Sequence, residues 1–310
     1  MGRIGLLNLE PKVTNTALMQ ISQYHKQRGD KVEWYLPVCY DEYDKVYVAS
    51  LFSTTRKPKL KPKFICGGTG FDDYDHDIIT RLPPEIEACN LDYSLYPNCK
   101  TSYLWFSRGC IHKCPYCVVW KKEGMIHSVE PKNLNPKGET ITIIDNNPFK
   151  NPRWEEMIDF CIEQNRPVNF CSGVSLRDFE DSHGLAIQKL KLFHQLNVAW
   201  DNPRENLRPK IEQLLKFIPA KLVQCYVLVE YWSTKEEDMM RIDYLRSKGI
   251  DPYVMPYKKT RYAKDLARWC NTRKIIKVSP KFEDYDRKKY NKTPEVPIIN
   301  QTKNLGDIFG

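Results

Sequence analysis

Tyr103-Leu-Trp-Phe106-Ser-Arg-Gly109-Cys110-Ile-His-Lys-Cys114-Pro-Tyr-Cys117 is the stretch from which the rest of this 310-residue chain can be read. Tyr103–Phe106 is an apolar aromatic run of strand character, and Ser107-Arg-Gly109 breaks it. Three cysteines follow at spacings of four and three, which puts three soft thiolates in one tight loop. Thiolates are the ligands that iron–sulfur clusters use. A cubane has four irons, so three loop sulfurs leave one iron open to a small molecule. Three cysteines with His112 would also suit zinc, or they are simply buried thiols. Structural zinc sites draw on two separated knuckles, and the chain has no second Cys-x2-Cys pair.

The Cys-x3-Cys-x2-Cys spacing, the strand and turn before it, and the aromatic Tyr116 just ahead of the last cysteine resemble the radical SAM superfamily. The resemblance implies a [4Fe-4S] cluster on Cys110, Cys114 and Cys117, with S-adenosylmethionine (SAM) chelated to the open iron through its amino and carboxylate groups. It also implies a flavodoxin- or ferredoxin-like electron donor. One electron would cleave a carbon–sulfur bond to give methionine and a 5′-deoxyadenosyl radical, which abstracts hydrogen from an unreactive carbon.

Downstream, apolar runs recur at Thr140–Ile144, Val168–Cys171, Val198–Trp200, Leu222–Val229 and Pro252–Met255. Helical patterns fill Leu185–Leu196, Ile211–Phe217 and the stretch from Met239 to Arg246, where Gly249 is a stop. With the run before the cysteines this makes six βα units, a partial (βα)6 TIM-type barrel, which the resemblance also implies. The active site of such a barrel lies at the C-terminal ends of its strands. Polar residues stand at those ends: Asp145, Asn146 and Asn147, then Ser172, Ser175 and Arg177, then Asp201. An ammonium needs acceptors such as Asp145 and Asn146, and an Arg fork such as Arg177 suits a carboxylate. The resemblance assigns this set to SAM, together with Tyr116 and, at the end of the sixth strand, Met255 near the adenine. The structural alternative for Asp145 and its neighbours is an N-cap for a helix starting near Pro152.

Upstream, strands are predicted at Arg3–Asn8, Val32–Leu36, Lys45–Ser50 and Lys63–Cys66, with a helix from Thr16 to Arg28 stopped by Gly29. Strands alternating with helical stretches argue for a parallel α/β layer. Residues 1–95 are thus similar to the Rossmann-like, cobalamin-binding-type domain of one branch of that superfamily. The branch carries an Asp-x-His-x-x-Gly loop whose His ligates cobalt, whereas Asn8-Leu-Glu-Pro-Lys-Val-Thr14 has no His. The expectation is the domain's shape without cobalamin. Cys39, Cys66 and Cys89 match poorly the second-cluster cysteines of methylthiotransferases. Gly67-Gly-Thr-Gly70 lacks a Walker Lys and reads as a tight turn. The proline-punctuated Leu82–Pro97 reads as a linker into residues 96–260, the barrel.

The chain is 41% hydrophobic and 28% charged, ordinary for a globular protein, and no run approaches the roughly 18 apolar residues of a bilayer span. Its N-terminus lacks a signal-peptide h-region, so a cytoplasmic protein without membrane partners is expected. Eleven cysteines in such a chain suggest metal ligation and buried thiols, not disulfides. Of the net charge of +9, +8 falls between Pro256 and Gly310. Residues 261–310 read as a basic helix and tail. They either cap the barrel or, with Trp269, Tyr285 and Tyr290, clamp nucleic acid. The substrate class stays open among nucleic acid, nucleotide and peptide. A non-catalytic metal-bearing interaction protein is the reading from another class.

Overall fold

The computed structural model describes residues 1–71 and 81–290. The described chain is mixed α/β with parallel sheets and forms two compact units that part at Asp145–Asn146.

The first unit begins with β1 (Arg3–Asn8), α1 (Thr16–Gln27), β2 (Lys31–Trp34), β3 (Lys45–Ala49) and β4 (Phe64–Gly67), and its sheet is parallel in the order β2-β1-β3-β4. The Asn15 side chain caps α1 by accepting from the Leu18 amide, and Gly29 ends it at φ +81°, a backbone state that costs glycine little. α1 buries Leu18, Met19 and Ile21; Tyr43, Val46, Val48, Cys66 and Phe71 form another part of the core. Gly68 and Gly70 make the tight turn expected of the Gly67–Gly70 stretch. A Cβ on either would lie 2.3 Å from an oxygen of Ser50.

Leu82–Pro97 is no loose linker. It contains α2 (Pro84–Glu87), buries Ile86, Leu91, Tyr93 and Leu95, and is tied to α1. The Gln20 side chain donates to the Glu87 carbonyl, while Ser22 and Lys26 both donate to Asp92. The apolar residues between the prolines bind the segment to the sheet's helix. β5 (Thr101–Leu104), β6 (Ser107–Arg108), α3 (Val119–Lys122), β7 (His127–Ser128) and β8 (Thr140–Ile143) complete the unit. β5 pairs parallel with β8, and β6 pairs antiparallel with β7.

The second unit holds α4 (Trp154–Gln164), β9 (Val168–Phe170), α5 (Asp181–Gln188), β10 (Leu196–Ala199), α6 (Arg208–Leu215), β11 (Val223–Val229), α7 (Lys235–Ser247), β12 (Asp251–Pro256), α8 (Arg261–Asn271), α9 (Arg273–Val278) and α10 (Arg287–Tyr290). β10, β11 and β12 form a parallel sheet in that order. The strands fall where the apolar runs predicted them. The helix expected at Leu185–Leu196 instead runs from Asp181 to Gln188, because Glu180 and His183 close a capping box, and Leu196 opens β10.

α8 packs on β12: Asn271 exchanges hydrogen bonds with the Val254 main chain, and Ala263, Leu266, Trp269 and Cys270 are buried. Trp269 is wholly enclosed, with its indole donating to the Ser279 carbonyl, so it cannot stack on a nucleic acid. Tyr285 and Tyr290 stack on each other. The basic tail expected beyond Tyr290 lies outside the described residues.

Candidate functional site

The cysteine loop leaves β6 and returns through α3 to β7, so a two-residue antiparallel ladder closes its base. Gly109 makes the turn into the loop at φ +81°, and a Cβ there would sit 2.6 Å from the Met125 carbonyl oxygen. The Arg108 guanidinium pairs with Glu123 at 2.9 Å, and the other Glu123 oxygen accepts the Gly109 amide at 2.9 Å. The Cys110 amide donates to the Gly124 carbonyl. The two ends of the loop are therefore clamped to each other by one half-buried carboxylate. Inside it, the Cys117 amide and the Trp120 indole both donate to the Cys114 carbonyl at 3.0 Å. The His112 amide donates to the Cys110 sulfur at 3.4 Å.

Cys110, Cys114 and Cys117 are all partly exposed. Among the described residues no three His, Cys, Asp or Glu side chains are gathered closely enough to hold a metal ion. What the loop offers a cluster is its donor set: three accessible soft thiols on one braced loop. The other cysteines differ. Cys66, Cys161, Cys171, Cys225 and Cys270 are buried, and burial pushes the Cys270 thiol up to about 12. Cys39, Cys89 and Cys99 are half-buried, and Cys89 and Cys99 donate to main-chain carbonyls at Glu85 and Thr101.

Asp145 is 1% exposed, and its carboxylate accepts the Phe106 amide at 2.9 Å and the Ser107 hydroxyl. Burial lifts it to about 6, against the pull of those donors. It does not cap a helix; it fastens the residues that lead into the cysteine loop. Asn146 is half-buried. Asn147 is buried, and its amide donates to Asp178 at 3.2 Å, while its Oδ1 has no hydrogen-bond partner. Ser172 follows β9, and its Oγ is likewise buried and unpartnered. Tyr116, Ser175 and Met255 are half-buried. Arg177 donates through its Nε to Glu205 at 2.6 Å. Asp201 accepts the Leu228 amide at 3.3 Å.

Two features went unseen in the sequence. The first is the clamp of Arg108 and Glu123, whose only signal is a pair of opposite charges flanking the cysteines. The second is Arg241, fully buried, which donates to the carbonyls of Trp200, Asp201 and Leu228 and to Asp238. It fastens the C-terminal ends of β10 and β11 to α7.

A cavity of about 100 Å³ lies at the C-terminal end of the first unit's sheet, lined by Thr16, Leu18, Ala49, Gly67, Trp105 and Arg108, among others. Chain connections leave β1 and β3 toward opposite edges there, which is where open parallel sheets place their crevices. In the loop after β1, Glu10 turns inward: its carboxylate accepts the Ser50 hydroxyl and the Leu51 and Phe52 amides, so it holds the loop after β3. Within the described residues no helix is long and apolar enough to cross a membrane. No protein-family model and no curated protein matches this sequence.

Proposed function

We propose that this protein is a radical SAM enzyme, with Cys110, Cys114 and Cys117 as the ligands of a [4Fe-4S] cluster and the N-terminal residues forming a Rossmann-like domain ahead of a partial barrel. The observation that carries the reading is the loop itself: three accessible thiols at the family's spacing, on a base braced by Gly109 and the Arg108–Glu123 pair. Once bound, the cluster supplies one electron for cleavage of a carbon–sulfur bond in SAM.

The chain's own residues bind and orient. Glu123 and Asp145 keep the loop and its lead-in strand in register. Two buried polar atoms support the assignment of Asn147 and Ser172 to SAM. An unpartnered buried acceptor or hydroxyl costs about 1–3 kcal/mol, which a ligand's ammonium or carboxylate would recover. Asn147 Oδ1 would accept from the ammonium, and Ser172 Oγ would donate to a carboxylate or ribose oxygen. An electron donor of the flavodoxin or ferredoxin class completes the reaction.

The test is anaerobic reconstitution with iron and sulfide, followed by SAM and a strong reductant, with 5′-deoxyadenosine as the readout. Wild type is expected to build the cluster and release 5′-deoxyadenosine, while Cys114→Ala does neither. Asn147→Ala should keep the cluster and lose SAM binding. A protein that takes up only zinc, and no cluster under any reconstitution, would overturn the reading.

A further inference from the structure

The C-terminal ends of β11 and β12 carry a group of aromatic rings that stand partly exposed. Tyr231 lies 4.5 Å from Tyr257 and 4.6 Å from Trp232, ring centre to ring centre. Trp232 is 42% exposed and Tyr257 50% exposed. Trp269 of α8 and Tyr47, Tyr103 and Tyr226 of the strands are buried by contrast. The chain also spends backbone strain here. Glu230 adopts φ +59°, a left-handed state that costs a residue with a side chain on the order of 1 kcal/mol. Its amide donates to Ser233, its carboxylate accepts the Thr260 hydroxyl at 2.6 Å, and the Tyr257 amide donates to the Val229 carbonyl. These bonds lock the loops after two neighbouring strands together, and the rings sit on that junction.

The rim is cationic. Tyr257–Lys264 contains Lys258, Lys259, Arg261 and Lys264 and no acid, and all four cations are exposed. The nearest acids are engaged: Glu230 by Thr260, and Asp265 by both Arg261 and Arg287. Glu236, in the first turn of α7, is the exposed exception. Exposed rings that offer a stacking face beside a run of cations match what binds bases and phosphates of an unpaired strand.

We propose that Tyr231, Trp232 and Tyr257, with Lys258 and Lys259, form a binding platform for single-stranded nucleic acid. That this strand is the substrate to be modified rests on the function proposed above; the binding itself does not. The charge that the sequence suggested for nucleic acid is thus used at the start of α8, not around the buried Trp269.

The experiment uses the full chain and a labelled twelve-nucleotide strand, RNA and DNA in parallel, with anisotropy measured from low to moderate salt. Wild type should bind the single strand more tightly than the duplex. Trp232→Ala/Tyr257→Ala should weaken binding by about ten-fold or more. Trp232→Phe/Tyr257→Phe, which keeps two rings, should retain most of it. Lys258→Ala/Lys259→Ala should reduce the salt slope by about 1.4, the counterions of two phosphates. Lys274→Ala/Lys277→Ala, on the neighbouring exposed α9, should leave affinity unchanged. Comparable RNA and DNA affinities or a preference for one both support the platform and tell which strand it serves. Equal binding by wild type and the Ala/Ala aromatic variant overturns the proposal. So does binding of AMP or SAM through these rings with no oligonucleotide affinity. A protein that binds strands through the platform but makes no 5′-deoxyadenosine would sink the enzymatic reading and leave this one standing.

Discussion

Replacing Arg241 with methionine should destabilise the protein by about 4 kcal/mol. Its guanidinium has no solvent exposure, and the Asp238 side chain beside it is 1% exposed. It donates to Asp238 at 2.7 Å, to the Trp200 carbonyl at 2.7 Å, to Asp201 and Leu228 at 3.0 Å and to Glu237 at 3.3 Å. Methionine fills much of the volume but leaves a buried carboxylate without its cation, a loss of about 3–5 kcal/mol. The four orphaned carbonyls would add about 1 kcal/mol each if independent, but they share one donor group and do not add. A total near 4 kcal/mol is a large share of the 5–15 kcal/mol that folded domains commonly have. Urea unfolding followed by circular dichroism measures it. The partner experiment is Arg241→Met/Asp238→Leu, which removes both charges and should recover about 2 kcal/mol of the loss. A single variant that loses less than about 1 kcal/mol, or a double variant less stable than the single, would refute the claim that this buried pair pins the strand ends.

Gly109→Ala should cost about 2 kcal/mol and sharply cut iron and sulfide uptake, since the new methyl meets the Met125 and Gly124 carbonyls in a left-handed backbone state; iron content per chain after reconstitution checks it. Glu123→Gln should lower stability by about 1–2 kcal/mol and slow cluster assembly, because the half-buried Arg108 loses its counter-charge; unfolding and absorbance after reconstitution read both. Asp145 titrates near 6 in the folded chain against about 3.9 unfolded, so the stability it contributes is fully present below pH 4 and lost as pH rises through 6. That difference is worth about 3 kcal/mol in all, of which about 2 kcal/mol falls between pH 4.5 and 7.5, and Asp145→Asn should flatten the fall in urea stability over that interval by about 2 kcal/mol.

The strands were legible because their signal is local. Arg3–Asn8 and Thr140–Ile143 are apolar runs whose burial needs no knowledge of what covers them. α1 and α7 were legible through side-chain periodicity and the glycines that end them. The helix after β9 was misplaced because its start is set by the reciprocal bonds of Glu180 and His183, which weigh more than the apolar residues further along. Within the candidate site, the three cysteines were visible from spacing alone. Asp145 and Arg177 were visible as polar residues at strand ends, but their partners were not: one serves Phe106 and Ser107, the other Glu205.

By itself the sequence determined the α/β class, the order of strands and helices, and the placement of three thiols in one loop, because each depends on residues within a few positions of one another. Only the tertiary structure decided that Leu82–Pro97 packs as part of the first unit, that Trp269 is core, and that Arg241 reaches the carbonyls of residues about forty positions away. It also decided that Trp232 and Tyr257 share one exposed junction. The physical reason is the same in each case: hydrogen bonds and burial are settled by neighbours in space, and a chain brings those together only once its sheets have formed.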